Sequence, residues 1–71
     1  MRKRIMVEGM SCNHCKMHVE EALMELEGAK SAQVNLETKT AILEGEKEIS
    51  DSDIKDIIKD YGYEVKTIEN L

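Results

Sequence analysis

Stretches of two-residue and helical periodicity alternate along this chain and are set apart by single glycines, which leaves few ways to fold it. Gly9, Gly28, Gly45 and Gly62 fall at or near the boundaries, and no proline, low-complexity tract or linker interrupts the order. Lys3–Glu8 reads as a strand with Ile5 and Val7 on one side. Asn13–Glu27 reads as a helix, because Cys15, Val19, Ala22, Leu23 and Leu26 keep the helical period until Gly28 breaks it. Ala32, Val34 and Leu36 alternate with Gln33 and Asn35, the mark of a strand buried on one face. A polar turn at Glu37-Thr38-Lys39 leads into a third strand, Thr40–Glu44, with Ala41 and Leu43 inward. Ser50 is the expected N-cap of a second helix, with Asp53 three residues on and Ile54, Ile57, Ile58 and Tyr61 as the inner stripe. Gly62 is its stop, and Tyr63–Ile68 is the last strand, with Val65 its expected core position.

Two strand-helix-strand units joined by a hairpin make an α+β fold, the split ferredoxin-like βαββαβ sandwich. Right-handed crossovers put both helices on one face of a four-stranded antiparallel sheet and leave the other face to solvent. Met6 and Ile42 belong on that open face. At 71 residues the chain is a single domain, residues 1–71. A domain this small buries about 60% of the surface its unfolded chain exposes, so it has no room for a deep substrate cavity. With no Trp or Phe, and only Tyr61 and Tyr63 as aromatics, the core is expected to be aliphatic and methionine-filled.

The formal net charge of -5 disfavours nucleic acid, whose phosphates need a basic stripe. The one basic cluster, Arg2-Lys3-Arg4, reads as a solvated strand end. Ile5-Met6-Val7 meets Glu8 at once, so the apolar stretch of a signal peptide is missing. Nothing approaches the roughly 20 apolar residues that span a bilayer. The expected location is the cytoplasm, where thiols stay reduced.

The only two cysteines sit in Gly9-Met10-Ser11-Cys12-Asn13-His14-Cys15, a loop running into a helix N-terminus. The helix dipole favours thiolate there by about 0.3–1 kcal/mol, most of all for Cys15. A Cys₄ site cannot be built from two cysteines within one chain. A thiolate pair suits a soft ion that accepts few ligands, and Cu(I) is the commonest such ion. The sulfurs converge if Cys12 lies on the loop and Cys15 in the first helical turn. Gly9 lets the backbone bend as it leaves the strand.

Val7-Glu8-Gly9-Met10-Ser11-Cys12-Asn13-His14-Cys15, opening a chain of this order and length, resembles the heavy-metal-associated domain family. The resemblance covers essentially the whole chain and includes Asn35-Leu36 at the end of the second strand and Gly62-Tyr63 before the last. It implies a metal-binding and delivery module, not an enzyme. Such a module binds Cu(I) through Cys12 and Cys15 and passes it, by thiolate exchange, to the metal-binding domain of a copper-transporting P-type ATPase. It implies that Met10 packs beneath the loop, that His14 tunes the site or meets the partner, and that Tyr63 shields the sulfurs, a role compatible with the ordinary one of a strand aromatic filling the thin core. The apo protein is expected to be monomeric, although exposed thiolates can let an ion bridge two copies. Beginning at Met1 and ending soon after the last strand, the chain is expected to be a free chaperone rather than part of a pump.

Other readings stay open. Zn(II), Cd(II) and Hg(II) are alternative ions. Mercury-binding proteins that resemble this loop carry signal peptides, and zinc and cadmium domains add a carboxylate where this chain has Ser11 and Asn13. Cys12, Cys15, His14 and His18 imitate a Cys₂His₂ set, but their spacing is too tight for the usual zinc pattern, and His18 reads as a surface residue. Met10, Met17 and Met24 recur every seven residues and read as packing. A CxxC at a helix start is also the thioredoxin arrangement, against which stand the missing tryptophan and proline.

Overall fold

Apolar and charged side chains alternate along Arg2–Glu8, and this strand, β1, takes an inner place in the sheet of the computed structural model, which describes residues 1–71. Helix α1 spans Asn13–Met24, strand β2 Ala29–Asn35, strand β3 Thr40–Gly45, helix α2 Asp51–Asp60 and strand β4 Glu64–Asn70. The sheet is antiparallel throughout, in the order β2-β3-β1-β4. Its register sets Val34, Ala41, Ile5 and Ile68 in one row. Helix α1 packs over β2 and β3, α2 packs beside β4, and the helices touch each other, which gives the expected two-layer ferredoxin-like sandwich. Ile5, Leu23, Leu43, Ile54 and Ile58 are fully buried between the layers. Methionine contributes only Met10 to this core, because Met17 and Met24 lie across α1 from Val19, Ala22 and Leu23 and are exposed. The core is therefore aliphatic, not methionine-filled.

Element ends depart from the period-based expectation for local reasons. Helix α1 stops at Met24 rather than Glu27, since the Glu25 N–H is shared between the Glu21 and Ala22 carbonyls and the Leu26 N–H bonds to Leu23. The last turn has tightened toward three-residue spacing. Strand β2 starts at Ala29 and ends at Asn35, whose Oδ1 accepts the N–H groups of Glu37 and Thr38 and turns the chain before Leu36 can extend it. Val65 is only half-buried because β4 is an edge strand. A register shift between Met6 and Val7 places Val65 opposite Val7 and Ile68 opposite Ile5, so two residues three apart both pack on the core.

Lys3 overturns the reading of the basic cluster as solvated. It shares the inner face of β1 with Ile5 and Val7 and is 4% exposed, while Arg2 and Arg4 point outward. Its Nζ donates to the Ile49 carbonyl at 2.7 Å and pairs with Asp51 at 2.8 Å and Glu48 at 2.9 Å. An ammonium has three donors, and all three are met. Burial pulls its pKa down, but the hydrogen bonds to Asp51 and Glu48 outweigh that and hold it above the ordinary lysine value. The segment before α2, including the buried Ile49, is thereby tied to the first strand.

Helix α2 begins as its sequence dictates, with the Ser50 hydroxyl accepting the Asp53 N–H at 3.1 Å. It ends with the Gly62 N–H on the Lys59 carbonyl and the Tyr63 N–H on the Ile58 carbonyl. This is the Schellman pattern, and Gly62 supplies its left-handed residue with φ 94°. The motif fixes where Tyr63 emerges, next to the end of β1.

Candidate metal centre

The loop after β1 is shaped from below. Gly9 has φ 92°, a conformation other residues rarely adopt, and the Tyr63 ring lies against its open side, 3.5 Å from where a Cβ would stand. Met10 then turns inward and is 5% exposed, joining the core cluster under the loop. With Met10 anchored, Cys12 arrives in extended conformation as the residue before α1, its carbonyl accepting the first helical N–H, from Lys16, at 3.1 Å. Cys15 falls in the first turn. The two sulfurs stand 3.6 Å apart as free thiols, Cys12 exposed and Cys15 half-buried.

No acidic side chain lies in the first turn of α1 to compensate its positive end. The Cys15 thiol is pulled down to about 6, chiefly by the Ser11 backbone N–H, then by the Tyr63 hydroxyl and the Cys12 thiol. Tyr63 is pushed up to about 12 by the same contact with Cys15 and by burial. The pair thus has one sulfur ready as thiolate at neutral pH. No group of three His, Cys, Asp or Glu side chains converges anywhere in the fold. Two metal–sulfur bonds of about 2.3 Å span at most about 4.6 Å, so sulfurs at this separation can both reach one ion with little movement.

The heavy-metal-associated domain matches residues 4–64. The chain belongs to that family. It is 47% identical over 60 residues to the copper chaperone CopZ of Staphylococcus aureus (strain bovine RF122 / ET3-1), covering 83% of this chain and 88% of that one. Among solved structures it is similar to a CopZ metallochaperone, with TM-score 0.86 and 42% identity over 93% of this chain and all of the other, which is covered to 100%. It is also similar to a copper binding domain from HMA7, a P-type ATPase, with TM-score 0.83 and 35% identity, covering 99% of this chain and 100% of that domain.

Within this heavy-metal-associated domain the structure gathers Met10, Cys12, Cys15 and Tyr63 around one loop. His14 lies in the first turn of α1 and is exposed. His18 is exposed too, but it is not idle: its Nδ1 lies 3.4 Å from the Tyr63 hydroxyl. Sequence reasoning missed that contact, because 45 residues separate the two in the chain and only the α2 stop brings them together. No helix is long and apolar enough to cross a membrane.

The depressed Cys15 value has a measurable sign. Against an ordinary thiol at 9.0, a folded value of about 6 means Cys15 favours the folded state most above pH 9 and loses that contribution as pH falls through 6. Iodoacetamide alkylation of reduced apo protein, resolved by peptide mass spectrometry, is expected to show a Cys15 midpoint near 6. Replacing Tyr63 by Phe is expected to move that midpoint upward.

Proposed function

We propose that residues 1–71 act as a single heavy-metal-associated domain that binds one Cu(I) through Cys12 and Cys15 and hands it to a metal-binding domain of a copper-transporting P-type ATPase. The observation that carries this reading is the sulfur pair itself: two thiols 3.6 Å apart where the loop enters α1, with no third ligand converging on them. Soft thiolates select Cu(I), which accepts two ligands, whereas a structural zinc site asks for four. The likeness to copper chaperones and to a pump's copper binding domain supports the same ion. Met10 supports the loop from the core, the exposed His14 between the two cysteines is free to tune the site or meet the partner, and Tyr63 shields Cys15.

Delivery follows from the low coordination number. An incoming partner thiolate forms a third copper–sulfur bond, one bond to Cys12 or Cys15 then breaks, and copper stays monovalent throughout. The exposed Cys12 is the sulfur that an approaching ligand meets first. No substrate is chemically changed, so the module is a carrier and not an enzyme. The cytoplasm is its place of work, since the thiols must remain reduced. The apo form is monomeric, and Cu(I) shared between two sulfur pairs is the route to a dimer.

Anaerobic titration against a strong competing chelator tests the reading. One equivalent of Cu(I) is expected to stay with the reduced protein, while Zn(II) is lost to the competitor. Transfer to a pump domain is expected to proceed at an undiminished rate when the chelator is present to trap free copper. Reduced protein that leaves Cu(I) with the chelator overturns the proposal.

A further inference from the structure

His18 has no part in the copper site as its two sulfurs define it, yet it reaches Tyr63 from helix α1. Its Nδ1 stands 3.4 Å from the Tyr63 hydroxyl. Tyr63 and Cys15 both pack at the rim of the same core cluster, and the tyrosine hydroxyl helps hold the Cys15 thiol low. The ring itself lies beside Gly9, 3.5 Å from where a Cβ would stand. Tyr63 is therefore held from below by the loop and at its tip by His18. Cys15 and His18 are three apart on α1 and so lie on adjoining parts of one helix surface. The tyrosine bridges them from another part of the fold.

We propose that His18 is a positioning residue of the metal loop: through its Nδ1 it fixes the Tyr63 hydroxyl over the Cys15 sulfur, so that the tyrosine is a set cover rather than a freely turning ring. This inference rests on the copper reading for its functional consequence, but its structural half stands on apo protein. Proton bookkeeping decides the direction of the bonds. A phenol carries one hydrogen. If that hydrogen goes to the Cys15 sulfur, His18 must donate through Nδ1–H to the phenol oxygen, which leaves Nε2 facing solvent as the acceptor. His18 is then fixed as one tautomer by its neighbour. A ligand role for His18 is disfavoured by the same geometry, since the nitrogen on this side is already engaged and no third donor converges with the two sulfurs.

The consequence is kinetic. A ring that can swing away uncovers Cys15 to competing ligands, and a ring that is held delays them. A small chelator is expected to capture Cu(I) about fivefold faster from H18A than from the parent, the factor that one ordinary hydrogen bond supports. Y63F, which keeps the ring but loses the hydroxyl that His18 holds, is expected to show a similar acceleration. The double variant is expected to be no faster than either single one, because both remove the same contact. His18→Asn, whose side-chain amide can donate from nearly the position of Nδ1, is expected to restore most of the delay.

Nitrogen-15 shifts of the His18 ring in reduced apo protein read the structural half without copper. They are expected to report a protonated Nδ1 in the parent and loss of that preference in Y63F. An H18A effect of equal size in the Y63F background, or a His18 ring indifferent to Y63F, overturns the inference. If the parent takes up no Cu(I), the functional reading falls, while the ring shifts still decide whether His18 holds Tyr63.

Discussion

Replacing Cys12 or Cys15 by serine is expected to lower Cu(I) affinity by well over the about 10–100-fold that loss of an outer-shell partner brings. Serine keeps the shape of the side chain but offers a hydroxyl, a hard donor that stays protonated at neutral pH, in place of a polarisable thiolate. With only two sulfurs in the site and no third group converging, each variant leaves the ion with a single protein ligand. Removing both should abolish retention against a chelator. The fold should survive, since Cys12 is exposed and Cys15 half-buried at the rim of the core. A surface substitution away from special contacts stays within about 0.5 kcal/mol. Competition titration and thermal unfolding, run on the same samples, check both halves. Retained copper affinity in the double variant would sink the site assignment. An unfolded apo protein would show instead that the metal is structural.

The order of elements was legible because each one announces itself locally. Ile5 and Val7 alternate with charge, Val19, Ala22 and Leu23 keep the helical period, and Ser50 and Gly62 bracket α2 with the caps their chemistry predicts. The loop was legible for the same reason: its residues are contiguous, so Gly9 and the two sulfurs could be placed before the fold was known, while the inward Met10 followed from the family resemblance. What escaped the sequence is what depends on contacts between distant segments. The two-residue period sets Lys3 on the face of Ile5 and Val7, but its charge and its basic neighbours argue for solvent; its three acceptors arrive from the segment before α2 and from the first residue of that helix, Asp51. His18 reads as surface until the α2 stop delivers Tyr63 beside it. The shared inward face of Val65 and Ile68 comes from the irregularity between Met6 and Val7 in the neighbouring strand, which no pattern within β4 encodes.

Lys3→Met is expected to destabilise the domain by about 2–4 kcal/mol, far more than Arg4→Met on the opposite, exposed face of β1. Methionine can fill much of the volume of the lysine stem, so the loss is chiefly polar. The buried Ile49 carbonyl loses its side-chain donor, and the tie between β1 and the segment before α2 is cut. Glu48 and Asp51 are not stranded, because their side chains are 71% and 54% exposed and return to water. That keeps the effect below what an isolated buried charge would give. Arg4 pairs with Glu69 at 3.4 Å with both side chains well exposed, and such a pair contributes at most about 1 kcal/mol. A domain of this size has roughly 4–10 kcal/mol to lose, so Lys3→Met should lower Tm by about 10–25 °C. The sign with pH follows from the raised pKa of Lys3. Its contribution is present throughout the neutral range and is lost only as pH rises past the ordinary value of 10.5. Because Lys3 sits near the start of β1 and the sulfur loop follows its end, copper uptake by folded Lys3→Met protein should match the parent. Equal thermal midpoints for the two variants would show that the three acceptors around Nζ contribute no net stability.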